Sequence, residues 1–252
     1  MKKLIAFDLD GTLTESKQSI TPEMANLISS LSLKAKVIII SGGSYHQFHE
    51  QFLPQIIKTQ SNLQNIILLP TSGSCRYEYD AETKDWKEVY THPFPQDIKN
   101  HALYELNKIV NEQKSDFSIP SEHFGPYIED RGNQLTFSAM GQEAPLEEKS
   151  QWDSNGNKRR KIKDFLEKNI PEIDAHIGGM TSVDVLPKGF DKAVGLKLLL
   201  EEQKCSTSDI LFIGDAVFEG GNDYSPMKAG IETVGIKGPD ETSKLITTLL
   251  QG

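Results

Sequence analysis

A chain of 252 residues, 37% hydrophobic and 25% charged, carries enough apolar material for one large domain or two modest ones. Its net charge of −9 argues against a nucleic-acid binder, which would carry a basic excess, and the single basic run at residues 158–161 reads as a solvated helix start. Two distant cysteines (Cys75 and Cys205) offer no disulfide framework or zinc site, no apolar stretch nears the roughly 20 residues of a membrane span, and Asp8 and Asp10 interrupt the opening apolar run too early for a signal peptide, so a soluble cytoplasmic protein is expected.

In chain order, the continuous apolar run at residues 4–7 predicts a strand buried on both faces. Thr21 and Pro22 form a helix start, and Met24, Leu27, Ile28 and Leu31 follow at helical spacing. Residues 37–40 predict a second buried strand, residues 45–52 a helix and residues 66–69 a third strand. This alternation is that of a parallel α/β sheet. From about His92 to Pro187 the character changes. A long helix (Ile98, Leu103, Leu106, Val110) precedes short alternating segments at residues 135–138 and 183–185 and a helix carrying Ile162, Phe165 and Leu166. The first pattern then resumes, with a helix over 191–200, strands over 210–213 and 233–236, and a closing helix. The expected organisation is an α/β core of residues 1–91 and 189–252, Rossmann-like with a parallel sheet, and an inserted α+β cap of residues 92–188.

The chemistry concentrates at strand ends, where open α/β sheets bind ligands. Asp8-Leu9-Asp10-Gly11-Thr12 follows the first strand. A loop turning at Gly11 brings both carboxylates to one site, where their repulsion calls for a cation or a proton. Phosphoryl transfer uses both: Asp8 attacks phosphorus, Mg²⁺ neutralises oxygens, and Asp10 handles the proton. Ser41-Gly42-Gly43-Ser44 after the second strand offers a hydroxyl and backbone N–H groups to a phosphate. Lys192, opening a helix after the insertion, can pair with Asp8 and the phosphate. Asp215, and Asp223 after Gly220-Gly221-Asn222, supply further oxygen donors of the type Mg²⁺ prefers.

Taken together in this order, the four segments resemble the motifs of the haloacid dehalogenase superfamily, with the insertion similar to its α/β cap (type IIB). Within it the chain resembles the eukaryotic-type phosphomannomutases. The resemblance rests on residues 8–14 and 18–21, Gly42-Gly43-Ser44 with Glu50-Gln51, Ile128-Glu129 with Arg131, Ile177-Gly178-Gly179, Ser182-Val183-Asp184-Val185, Pro187 through Lys192, and Gly214-Asp215 with 220–223. It implies that Asp8 is phosphorylated and Asp10 is the general acid/base. It also implies that Asp215 binds Mg²⁺ with Asp8 and the Asp10 carbonyl, and that Arg131, Ser182 and Asp184 contact substrate. A hexose 1,6-bisphosphate would prime the enzyme and the cap would close during transfer. Relatives pair as homodimers through the cap. The implied substrate is a small sugar phosphate, with no nucleic acid or membrane partner.

Three positions depart from the family. Where it has arginines, this chain has Lys17, Gln142 and Lys149. Lysine keeps the charge without the bidentate fork, and glutamine loses it. A weaker grip on the distal phosphate shifts a mutase toward a sugar-phosphate phosphatase, which is the alternative function; the basic run at 158–161 and Lys149 are candidates to compensate. A receiver-type regulatory domain is a third class, disfavoured by the large insertion and by Asp10. His46 and His49 read as a surface pair rather than a metal site, and Asp153, Asn155 and Asn157 as a helix-preceding turn rather than a calcium loop.

Overall fold

Runs of β-branched and large apolar residues with no polar interruption become interior strands. The computed structural model, which describes residues 2–251, follows that rule through the first third of the chain. β1 (Leu4–Phe7) is buried along its length. Thr21 accepts a hydrogen bond from the Met24 N–H (3.1 Å) and caps α1 (Pro22–Ser32), which has proline in its first turn. β2 (Lys36–Ile40), α2 (Tyr45–Gln51), the short α3 (Leu53–Ile56) and β3 (Ile66–Leu69) follow. The chain then forms an antiparallel hairpin, β4 (Cys75–Asp80) and β5 (Asp85–Thr91), which the sequence pattern did not reveal.

The insertion contains α4 (Gln96–Glu112), β6 (Ile128–Asp130), β7 (Leu135–Ser138), α5 (Leu146–Trp152), α6 (Asn157–Asn169), β8 (Ile173–Ile177) and β9 (Ser182–Pro187). After it come α7 (Lys192–Glu202), β10 (Ile210–Gly214), α8 (Tyr224–Lys228), β11 (Glu232–Gly235) and α9 (Pro239–Gln251). The chain divides into two compact units. One comprises the segment up to Thr91, Asp191–Glu219 and the segment from Asp223; the other comprises His92–Phe190 with Gly220–Asn222. Among the described residues no helix is long and apolar enough to cross a membrane.

The first unit is built on a seven-stranded sheet in the order β11-β10-β1-β2-β3-β4-β5. From β11 to β3 the strands are parallel, and the hairpin adds two antiparallel strands at one edge. Apolar clusters cover both faces. Phe7, Val37, Ile39 and Leu68 pack on one side with α1, and Ala6, Ile38, Ile40 and Phe212 on the other with α7. Arg76 of β4 is buried and ties the hairpin to the end of α7. Its Nη2 donates to Glu202 (2.7 Å), its Nε lies 3.3 Å from Glu78, and its guanidinium stacks over Tyr90.

The second unit is a four-stranded antiparallel sheet, β6-β7-β9-β8. Alternation sends Leu135, Phe137, Val183, Val185, Ile173 and Ala175 to one face, where they form a core with residues of α4 and α6. The opposite face carries the intervening polar residues. Asp153 accepts from the Lys158 and Arg159 backbone N–H groups at the start of α6, so the 153–157 segment is the helix-preceding turn expected of it. Both cysteines are free thiols, and burial pushes Cys75 up to about 11.

Candidate active site

β1, β2 and β10 are adjacent and parallel, so their carboxyl ends open onto one edge of the sheet. Asp8 leaves β1 there, its backbone N–H still donating to Ile213 of β10 (2.9 Å). Ser41 leaves β2, and Asp215 leaves β10. The residues after Asp8 form a tight turn, with Gly11 donating to Thr14 (2.7 Å) and both Leu13 and Thr14 donating to the Leu9 carbonyl. Gly11 sits at φ +82°, and a Cβ there would collide with the Asp215 carboxylate. The glycine therefore lets the first loop approach the last.

Lys192 is the first residue of α7. Asp191 caps that helix by accepting from Val194 (3.0 Å), which fixes where the lysine begins. The Lys192 ammonium is buried and donates to Asp8 Oδ1 at 2.5 Å and to Asp223 Oδ1 at 2.7 Å. Asp223 is fully buried, and its other oxygen accepts from the Ala216 N–H (3.0 Å), so it also holds the loop beyond Asp215. Asp8, Asp215 and Asp223 each offer a carboxylate oxygen within 4.8 Å of the others.

Three ionised carboxylates against one ammonium leave a formal deficit of two positive charges, which is the charge of one divalent cation. The hard oxygen donors fit an ion that prefers carboxylates and water. Without such an ion the group is electrostatically stressed. Burial pushes the Asp8 carboxyl well above the usual range, Lys192 pulls it back, and Asp223 and Asp215 push it further up. Partial burial, then Asp223, then the weaker effect of Asp10, push Asp215 up to about 6 against the pull of Lys192. Burial opposes the charge on Lys192, but Asp223 and Asp8 outweigh it and hold the ammonium protonated.

Asp10 occupies a different environment. Its Oδ1 accepts from the Lys17 backbone N–H and its Oδ2 from the Gln47 side-chain amide, both at 2.6 Å. The repulsion expected between Asp8 and Asp10 is thus replaced. The carboxylates acting on Asp8 are those of Asp223 and Asp215, while Asp10 is engaged by the Lys17 N–H and the Gln47 amide. Lys17 takes part through its backbone, held at φ +59°. In the β2–α2 loop the Ser41 hydroxyl oxygen is buried and accepts from the Gly43 N–H (3.0 Å), and the hydroxyl hydrogen remains to be donated. Gly42 and Gly43 are buried beside it, and Ser44 opens α2.

The remaining expected site residues lie in the second unit. On the polar face of its sheet, Thr136 donates to Asp184 Oδ1 (2.8 Å) and accepts from Gln134 (3.0 Å). Ser182 is opposite Ser138, two residues along the strand from Asp184. Arg131 follows β6, with Nη2 2.7 Å from Glu129. The Gln142 amide is buried and donates to the Thr136 main-chain carbonyl (3.2 Å). Lys149 lies in α5, half-buried. Gln47 and Thr136 escaped the sequence reading. Alternation along residues 135–138 held a signal for Thr136, and Gln47 had none that pointed to a site. His46 pairs with Glu50 on the surface (3.2 Å) and His49 packs its ring against Tyr45, so neither points to a metal.

Comparison with known proteins gives one family and one fold. The model of the eukaryotic phosphomannomutase family matches residues 24–252. A phosphomannomutase from Spinacia oleracea is 28% identical over 251 residues, covering 96% of this chain and 94% of its own length. Among solved structures, the IMP-bound, N-terminally truncated IMP-nucleotidase of Plasmodium falciparum superposes with a TM-score of 0.76 at 17% identity, covering 100% of this chain and 68% of that one. A haloacid dehalogenase-like hydrolase from Bacteroides thetaiotaomicron superposes with a TM-score of 0.59 at 16% identity, over 99% of this chain and 100% of that one.

Proposed function

The chain belongs to the eukaryotic phosphomannomutase family, and from that premise we propose that it interconverts hexose 6- and 1-phosphates, with the mannose phosphates as substrates, through a phosphoryl group carried on Asp8. The observation that carries this reading is the buried ammonium of Lys192 held between Asp8 and Asp223 beside Asp215. A carboxylate that meets an electron-rich phosphoryl group needs fixed positive charge on both, and Lys192 is positioned to supply it.

In the first half-reaction an Asp8 oxygen bonds to phosphorus as the bond from phosphorus to the leaving oxygen breaks, and Asp10 gives its proton to that oxygen. In the second, Asp10 takes the proton of the accepting hydroxyl as that oxygen bonds to phosphorus and the bond to Asp8 breaks. The Ser41 hydroxyl and the loop of Gly42, Gly43 and Ser44 bind the transferring group. The carboxylates of Asp8 and Asp215 and the Asp10 carbonyl, with Asp223 in reach, would hold Mg²⁺, whose positive charge would serve the phosphoryl oxygens. A hexose 1,6-bisphosphate is the proposed activator and intermediate. Arg131, Ser182 and Asp184 are the proposed substrate contacts of the inserted unit, with Arg131 the cation for the second phosphate and Lys17, Gln142 and Lys149 at the positions where the resemblance implies arginines. Pairing of two chains through the inserted unit and a cytoplasmic location belong to the same reading.

One observation favours a second reading, phosphatase activity. Gln142 is uncharged and its amide is committed to a main-chain carbonyl, which weakens retention of the bisphosphate and admits water as acceptor. The deciding experiment incubates the protein with mannose 1-phosphate and Mg²⁺, with and without a hexose 1,6-bisphosphate, and measures mannose 6-phosphate and free phosphate. Formation of the 6-phosphate that depends on bisphosphate supports the mutase. Free phosphate alone supports the phosphatase, and neither product overturns both.

A further inference from the structure

Gln47 breaks a local rule. Ser44 starts α2 and Gln47 stands three residues on, the spacing at which a glutamine reaches back to the N-cap N–H and completes a capping box. Ser44 makes no side-chain cap hydrogen bond, and the Gln47 amide turns away to donate to Asp10 Oδ2 at 2.6 Å. A residue that forgoes its local partner for a distant one is expected at functional positions.

Its surroundings are built for that role. The amide nitrogen makes a second contact with the Gln51 side-chain oxygen (3.3 Å), so each of its hydrogens has an acceptor and the amide is fixed in orientation. Gln51 is buried, and its carbonyl accepts from Ile20 at the end of the loop that carries Lys17 (2.9 Å). A Cβ on Gly43 would overlap the Gln47 amide, so the glycine makes room for it. Tyr45 stacks on Tyr77 of β4, ring centroids 3.8 Å apart and 9° from parallel, which anchors the start of the helix.

We propose that Gln47 is the positioning residue for Asp10, clamping its carboxylate against the Lys17 N–H so that the proton is exchanged at one fixed place in both half-reactions. The inference rests on the reading of Asp10 as the acid/base. A half-buried aspartate held by one hydrogen bond samples several rotamers, and with two it is confined to one. The clamp is a charge-assisted bond from a neutral donor, and its loss is expected to lower turnover about tenfold to a hundredfold.

The test compares Gln47→Glu, Gln47→Lys and Asp10→Asn in the full chain. Gln47→Glu keeps the size and can complete the capping box, yet removes the donor, so kcat on the sugar phosphate falls while KM and Tm hold. Gln47→Lys returns an N–H donor and recovers most of the loss. With 4-nitrophenyl phosphate, whose leaving group needs no proton, Gln47→Glu gives a burst of one equivalent of nitrophenolate and then slow release of phosphate. An unchanged kcat, a loss confined to KM, or a loss that tracks Tm and is not recovered by lysine overturns the inference. If wild type forms a phosphoenzyme whose decay Asp10→Asn slows but Gln47→Glu does not, the inference alone fails. If Asp10→Asn leaves that decay untouched, the reading beneath it fails as well.

Discussion

Replacing Lys192 with methionine, similar in length and without charge, isolates what its ammonium does. The nitrogen is buried and bonded to Asp8 at 2.5 Å and Asp223 at 2.7 Å, so the substitution leaves two buried carboxylates without their counter-charge. Breaking a buried ion pair from one side costs about 3–5 kcal/mol. At about 2–4 °C per kcal/mol for a chain of this size, Tm falls by roughly 6–20 °C near neutral pH in the absence of divalent cations.

The loss also has a pH signature. Burial, Asp223 and Asp215 already raise Asp8, and Lys192 is the group that lowers it, so the variant raises it further. A carboxyl raised in the folded state binds more protons folded than unfolded, so stability falls as pH rises from the unfolded carboxylate value upward. Relative to wild type, the deficit is therefore smallest at acid pH and grows as pH rises. Urea titrations at pH 4.5, 6 and 7.5 with excess chelator measure it. A deficit under about 1 kcal/mol at neutrality, or one that does not change with pH, refutes the account of Lys192 as counter-charge to a buried acidic group.

Asp8→Asn removes the attacking oxygen while nearly preserving volume, and turnover of sugar phosphate is expected to vanish; mass spectrometry of acid-quenched protein should find a phosphoryl adduct on wild type and none on the variant. Divalent cations compete with protons at the site, and because Asp215 is raised to about 6, affinity for Mg²⁺ by titration calorimetry should weaken about tenfold on going from pH 7 to pH 5. Gln142→Arg places a charge where the resemblance implies an arginine and is expected to raise the ratio of mutase to phosphatase activity at least tenfold, at a Tm cost of a few degrees for the lost amide–carbonyl bond. An unchanged ratio removes the argument for a weakened distal grip.

How much of this was legible in the sequence follows from the physics of each element. β1, β2, β3 and β10 are uninterrupted apolar runs, and burial on both faces permits nothing else, so their bounds were readable to within a residue. The start of α1 was readable because Thr21 and Pro22 act locally. The β4–β5 hairpin was not. Its strands mix charged and aromatic residues, its turn lacks the glycine and asparagine that mark tight hairpins, and Arg76 is buried only because Glu202, 126 residues away, arrives to pair with it. Asp8 and Asp215 were readable because each directly follows a strand, and Asp223 because it closes the glycine-rich segment after β10. Gln47 was not, because its spacing from Ser44 has an ordinary local explanation that the fold overrides.

The basic run at residues 158–161 bears on the balance between transfer and hydrolysis. With Lys149 it is a candidate to replace charge missing at Gln142, but its side chains are engaged close by. Lys158 lies over the Trp152 ring, Arg159 pairs with Asp153 at 2.9 Å, Arg160 donates to Asn157, and Lys161 donates to the Asp116 carbonyl. Recruiting any of them to a phosphate would first break these contacts and unfasten the start of α6. Arg131 Nη2 already holds Glu129 at 2.7 Å, so on the proposed reading an arriving phosphate must share or displace that carboxylate. On the proposed reading both costs fall on retention of a bisphosphate rather than on the chemistry at Asp8. The first half-reaction should therefore proceed with family-like efficiency, while escape or hydrolysis of the intermediate decides the product.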